Sequence, residues 1–112
     1  MSKVRASHLL IKNCNSRNPV SRRTNQSTEG YSEEDAMKEL MEYKAKINPG
    51  NFAQLAAERS DCGSCQQGGD LGEFGPGEMM KAFEDATRAL QVGEISGPVK
   101  TDSGLHLILR TG

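Results

Sequence analysis

The chain contains only two histidines, His8 and His106, and each stands inside an apolar run: VRASHLLIK around the first and LHLILR around the second. An imidazole in a strand is more often a hydrogen-bonded core residue than a base or a ligand, although it is the side chain that titrates nearest neutral pH. The placement of these two changes that expectation. One run opens the chain and the other closes it, so the two strands can lie side by side in the centre of a sheet. There the two rings can hydrogen-bond to each other. The third reactive group is Cys62, in Ser60-Asp61-Cys62-Gly63-Ser64-Cys65. It can be a small buried hydrophobe in a turn. It can be half of a CxxC redox pair, but that chemistry expects a helix start within a βαβ pattern, which is absent here. It can join Cys65, His8 and His106 in a zinc set, if both histidines converge on the turn. It can also be a catalytic or environment-tuning thiol beside the imidazoles. These readings stay open on the residues alone, the redox and zinc ones being the weaker.

Two further groups of residues complete the chemistry. Leu71, Met79 and Phe83 can form a small apolar pocket, with Met79 and Phe83 expected at i, i+4 on one helix face; plain core packing explains them equally well. Lys12, Arg17, Arg22 and Arg23 lie in or beside the polar stretch NCNSRNPVSRRTNQSTEG, whose only acid is Glu29. Guanidinium offers phosphate a planar fork of donors, whereas a solvated loop needs no ligand. The stretch holds no aromatic side chain on which bases could stack, which disfavours single-stranded nucleic acid.

The elements that must position these groups follow from periodicity. Val4, Ala6, His8 and Leu10 share one face of a first strand, and Arg5, Ser7, Leu9 and Ile11 share the other. Apolar residues on both faces predict a central strand. The residue 13–30 stretch predicts a long loop, functional or disordered. A helix starts at Ser32, which has capping-box spacing to Asp35 and acids in its first turn. Ala36, Leu40, Tyr43 and Ile47 give its apolar stripe, and Asn48-Pro49-Gly50 ends it. A second short helix, with Phe52, Leu55 and Ala56 inward, ends near Ser60. A glycine-rich segment to Gly77 encloses a short strand, Asp70-Leu71-Gly72-Glu73-Phe74. A third helix is expected over Glu78–Leu90, with Met79, Phe83, Ala86 and Leu90 in register. Gly97–Thr101 and Leu105–Arg110 read as a hairpin about Asp102-Ser103-Gly104. The order predicts one α+β domain with a small, mostly antiparallel sheet.

Composition narrows the function classes. The chain has 112 residues, 35% hydrophobic and 26% charged, with a net charge of −1. A chain of this size buries roughly 60–70% of its unfolded surface, enough for one core. Near-neutral charge argues against binding nucleic acid or membranes through overall charge. No apolar run approaches the roughly 18–20 residues of a membrane helix, and the strand pattern from Lys3 leaves no expected signal peptide. Three cysteines, few and odd in number, argue against a disulfide framework and make a reducing intracellular compartment the default.

Taken in order, the stretches VRASHLLIK, FAQLA, SDC, GDLGEF, FEDA, GEISGPV and TDSGLHLI resemble the parvulin family of peptidyl-prolyl cis/trans isomerases. Any one is weak; the ordered set spans almost the whole chain and is specific. The long basic loop after the first strand is similar to the phospho-specific eukaryotic branch. The resemblance implies a single isomerase domain over residues 1–112, of parvulin or FKBP-like fold: a four-stranded antiparallel sheet flanked by about four helices. It implies a catalytic hydrogen-bonding set of His8, Cys62, Ser103 and His106, with Thr101 nearby. Leu71, Met79 and Phe83 match the proline pocket. Lys12 and Arg17 match the phosphate-binding residues, with Ser16 beside them, and Arg22 and Arg23 are further basic candidates. Two positions depart from the pattern: Asn18 stands where many phospho-specific members carry a second arginine, and Met80 where a glutamine often lines the site. The isomerase pattern begins at residue 3, so the WW module of many relatives is expected to be absent.

The implied activity is isomerisation of phosphoserine- or phosphothreonine-proline bonds by non-covalent stabilisation of the twisted amide, without metal or organic cofactor. The competing reading from another class is a non-catalytic phosphopeptide-binding or chaperone module using the same loop and pocket. The presence of Cys62 with both histidines favours the enzyme. Expected partners are phosphorylated proteins with Ser/Thr-Pro motifs rather than nucleic acid or membrane, with a monomeric chain in cytoplasm and nucleus.

Overall fold

The first strand, β1 (Val4–Ile11), has apolar residues on both faces and lies second in a four-stranded sheet. The structure, a computed structural model, describes residues 3–112. The other strands are β2 (Asp70–Phe74), β3 (Val99–Thr101) and β4 (Gly104–Arg110), in the order β2-β1-β4-β3. Every neighbouring pair is antiparallel. The two histidine-bearing strands therefore pair directly, as their sequences predict. His8 stands opposite Ile108, and Leu10 opposite His106. The imidazoles are thus diagonal neighbours on one face, close enough for ring contact.

The two faces carry separate cores. Leu9, Ile11, Leu105, Leu107 and Leu109 pack against α1 (Glu33–Lys46) and α2 (Phe52–Arg59), meeting Leu40 and Phe52. Val4, Ala6 and Ile108 point the other way and join Phe74 and Phe83 beneath α3 (Lys81–Ala89). Phe52 and Phe74 are 1% and 2% exposed; full burial of such a ring contributes about 1.5–3 kcal/mol. The Ser32 hydroxyl accepts from the Asp35 N–H at 3.1 Å, so the capping expected at the start of α1 is made. Ile47 ends that helix ahead of Asn48-Pro49-Gly50.

Three expectations change. Among the described residues the sheet is flanked by three α-helices; the fourth helical element is a short 3-10 turn at Gly63–Gln67. The third helix begins at Lys81 rather than Glu78. The Gly75-Pro76-Gly77 turn takes the preceding residues for itself. The Glu78 carboxylate accepts the Gly75 N–H, and Glu84 reaches back to accept the Gly77 N–H at 3.0 Å. Met79 therefore precedes the helix and does not share a helical face with Phe83. β3 is likewise shorter than expected, starting after Pro98, which has no N–H for a ladder.

Glycine is required where the chain passes closest to the site. Gly69 has φ 84°, its carbonyl accepts the His8 N–H at 2.9 Å, and an added Cβ would lie 2.3 Å from the His8 carbonyl oxygen. No real Cβ tolerates that approach, so any larger residue would push β1 and His8 out of place.

Candidate functional site

The paired strands bring the two rings into a hydrogen bond. His8 Nδ1 and His106 Nδ1 are 2.9 Å apart, and the rings stack at 5.1 Å between centroids. Thr101 Oγ1 lies 2.7 Å from His106 Nε2 and accepts the Ser103 N–H at 3.1 Å. At the other end, His8 Nε2 is 3.2 Å from Ser64 Oγ. Across this bond one Nδ1 donates and the other accepts, and the tautomers set which. The chain from Thr101 to Ser64 then has two self-consistent directions. Either Thr101 donates to His106, His106 to His8 and His8 to Ser64, or every proton shifts the other way. Burial, and then the neighbouring His8, hold His106 well below the ordinary imidazole range, so it is uncharged at neutral pH. Phe83 sets its edge against both rings, at 5.5 Å from His8 and 5.2 Å from His106.

Cys62 stands beside this chain at the start of the 3-10 turn. Burial pushes its thiol up, but the interaction with His8 and the hydroxyl and N–H of Ser64 outweigh that and bring it down to about 6. The sulfur is therefore largely thiolate at neutral pH. Among the described residues, no group of three or more His, Cys, Asp or Glu side chains is gathered as metal ligands would be. The two cysteines and two histidines do not form the zinc set that their sequence spacing allows.

A cavity of about 190 Å³ opens in front of the rings. Leu71, Met79 and Phe83 make its apolar wall, with Met80 at the rim; His8, His106, Cys62, Thr101 and Ser103 make the polar side. All the residues proposed from sequence for the hydrogen-bonding set and the apolar pocket meet in this one hollow.

A second hollow adjoins the first and shares Cys62 and Ser103 with it. Its remaining wall is Leu10, Lys12, Arg17, Asn18 and Arg22. The loop that builds it is tied to the rest of the domain. Arg17 N–H donates to the Asp102 carbonyl at 2.6 Å, and Arg22 N–H to the Asp61 carbonyl at 2.9 Å. Lys12 is 5% exposed, and its ammonium donates to the carbonyls of Asn18 at 2.9 Å and Val20 at 2.8 Å. An ammonium has three protons, so one donor is left for a ligand. Burial and then Arg22 hold the Lys12 amine below its usual range. Asn18 supplies no charge but uses its backbone to seat Lys12.

Ser16 and Arg23 are not among the residues lining this hollow. The Ser16 hydroxyl is buried and accepts the Asn13 N–H at 3.0 Å, closing a local turn. Arg23 lines a separate hollow with Thr24, Tyr31 and Arg59. Sequence reasoning passed over Ser64, which terminates the histidine chain, and Asp61 and Arg59, which pair at 3.0 Å. Ser64 lies between the two cysteines, and that spacing was its one signal.

The comparisons with known proteins agree with this geometry. The family description that matches residues 8–112 is the rotamase, PPIC-type PPIase domain. The chain is 54% identical over 113 residues to peptidyl-prolyl cis-trans isomerase pin1 of Rhizopus delemar, covering 99% of this chain and 74% of that protein. It is 46% identical over 114 residues to peptidyl-prolyl cis-trans isomerase Pin1 of Digitalis lanata, covering 98% and 97%. The solution structure of TbPIN1 superposes with a TM-score of 0.89 at 57% identity, covering all of both chains.

Proposed function

The chain belongs to the PPIC-type, or parvulin, family and is a peptidyl-prolyl cis/trans isomerase of the Pin1/Ess1 type; from that premise we propose that it acts preferentially on bonds whose residue before proline carries a phosphate. The observation that carries this reading is the adjacency of the two hollows. They meet at Cys62 and Ser103, where the carbonyl joining the two substrate residues would lie.

An X–Pro bond resists rotation because partial C–N double-bond character holds it planar, behind a barrier of about 18–20 kcal/mol; uncatalysed exchange takes tens to hundreds of seconds. Leu71, Met79 and Phe83 hold the proline ring. Lys12, Arg17 and Arg22 hold the phosphate, which carries about −1.5 to −2 charge at neutral pH. With both ends fixed, rotation of the carbonyl between them is the remaining freedom. Only contacts that improve in the twisted state accelerate it.

The planar amide places negative charge on its carbonyl oxygen, and twisting withdraws that charge. An electron-rich Cys62 sulfur facing the oxygen disfavours the planar form, and the histidine chain supports the sulfur through His8. Isomerisation needs no bond to be made or broken, so a non-covalent role for Cys62 suffices. The substrates this reading implies are phosphorylated proteins with Ser/Thr-Pro motifs. The test is exchange spectroscopy on a phosphoserine-proline peptide and its unphosphorylated twin. Faster catalysed exchange on the phosphopeptide supports the reading; equal rates reduce the protein to a general parvulin.

A further inference from the structure

Asp61 precedes Cys62 and is 2% exposed, so it cannot touch a substrate. Its carboxylate accepts three hydrogen bonds from three parts of the chain: the Lys12 N–H at 2.9 Å, the Ser21 hydroxyl at 2.7 Å and Arg59 Nη1 at 3.0 Å. Its backbone reaches the same places. Its N–H donates to the Leu10 carbonyl at 2.7 Å, and its carbonyl accepts the Arg22 N–H at 2.9 Å. Arg59 is fixed from behind by a fork onto Glu39 at 2.6 and 2.8 Å. One buried residue thus joins the strand end that carries Lys12, the loop residue before Arg22, and the sulfur-bearing turn.

We propose that Asp61 is the positioning residue for phosphate selectivity, holding Lys12 and Arg22 at the spacing at which both address one anion. The inference rests on the phosphate reading above. Sign separates it from the alternatives. As a bare charge, Asp61 repels an anion in the neighbouring hollow, so removing that charge would raise phosphate preference. As a generic structural residue, its loss would slow phosphorylated and unphosphorylated peptides alike. As a positioning residue, its loss lowers the ratio between them. Asp61→Asn keeps the shape but turns one acceptor into a donor that faces existing donors, which releases one of the three anchors.

The experiment measures kcat and KM for wild type, Asp61→Asn and Ser21→Ala on a phosphoserine-proline peptide and its unphosphorylated twin. The kcat/KM ratio of the two peptides is expected to fall about tenfold in Asp61→Asn, the scale of one lost charge-assisted hydrogen bond in a buried site. A fall of about threefold is expected in Ser21→Ala, which removes the hydroxyl donor to Asp61 together with the longer bonds it accepts from the Arg23 and Thr24 N–H groups at 3.3 and 3.4 Å. Both losses should enter through KM of the phosphopeptide. A ratio that holds or rises in the variants, or equal losses on both peptides, overturns the positioning role. A wild-type ratio of one overturns the phosphate reading itself, and the positioning role with it. Should Asp61→Asn fail to fold, the Ser21→Ala ratio decides in the same way.

Discussion

The two adjoining hollows are built from different materials. The proline side rests on the central strand pair and the helix above it: His8 and His106 are 5% and 4% exposed, and Phe83 is 4% exposed beneath them. The hollow proposed to take phosphate rests on an 18-residue loop, residues 13–30, whose three arginines, Arg17, Arg22 and Arg23, are exposed. The first is held by packing, the second by a few polar anchors at Lys12, Asp61 and Asp102. Packing makes the geometry of the isomerising half hard to change without loss of stability. The loop meets that half only at its edge, where the Arg17 and Arg22 N–H groups donate to the carbonyls of Asp102 and Asp61. If the loop hollow takes the phosphate as proposed, turnover and substrate choice are largely separable in this fold.

The harshest way to break the separation is Phe83→Ala. Phe83 packs against Phe74 and both imidazoles, so its removal should cost about 3–5 kcal/mol of stability, read by denaturant unfolding, and abolish most activity on any substrate. A variant that stays as stable as wild type would show that the packed half is not what holds the rings. Next comes Cys62→Ala, which should lower kcat/KM by at least about tenfold, or 1.4 kcal/mol of transition-state stabilisation, on phosphorylated and unphosphorylated peptides alike, while the domain stays folded. Cys62→Ser should retain more activity than Cys62→Ala if polarity rather than nucleophilic attack is the role; the reverse order argues for attack.

The same thiol gives a pH test of the packed half. Its folded-state value is brought down to about 6, below the ordinary thiol near 8.5. Between those values the unfolded chain binds more protons than the folded one, so stability rises with pH across that window and is lost as pH falls through about 6. The depressed His106 acts in the same direction below its ordinary value near 6.5. Thermal unfolding across pH 6 to 9, taken on wild type and Cys62→Ala, should show the rise in wild type and a flatter curve in the variant; matching curves would refute the thiolate. The smallest effect belongs to the loop. Arg17→Ala should leave the unfolding midpoint within error and lower kcat/KM on the phosphopeptide by about two- to tenfold relative to its unphosphorylated twin, because an exposed ion pair contributes little and is screened by salt. An undiminished preference would remove Arg17 from the phosphate contacts and leave them to Lys12 and Arg22.

The contrast also explains what the sequence made legible. Alternation in VRASHLLIK and LHLILR puts His8 and His106 on one face, and their pairing follows once both strands are central. Leu71, Met79 and Phe83 converge as expected, although Met79 does so from a turn rather than a helix. The helix start was misplaced because a glycine-proline turn recruited Glu78, an effect with no periodic signature. The loop was less legible. Lys12, Arg17 and Arg22 line its hollow, but Arg23, next to Arg22, lines another, and chain proximity does not decide where a loop side chain points. Asp61, read from sequence, is one acid among 15 Asp and Glu residues; only three-dimensional contacts mark it as buried and shared.

The most direct test of the account is the ratio of kcat/KM on a phosphoserine-proline peptide to that on its unphosphorylated twin, measured for the wild-type chain at low and at raised salt. Two hollows sharing one substrate predict a ratio above one at low salt that shrinks as salt rises, with the unphosphorylated rate moving less. A ratio of one at every salt concentration would contradict the account.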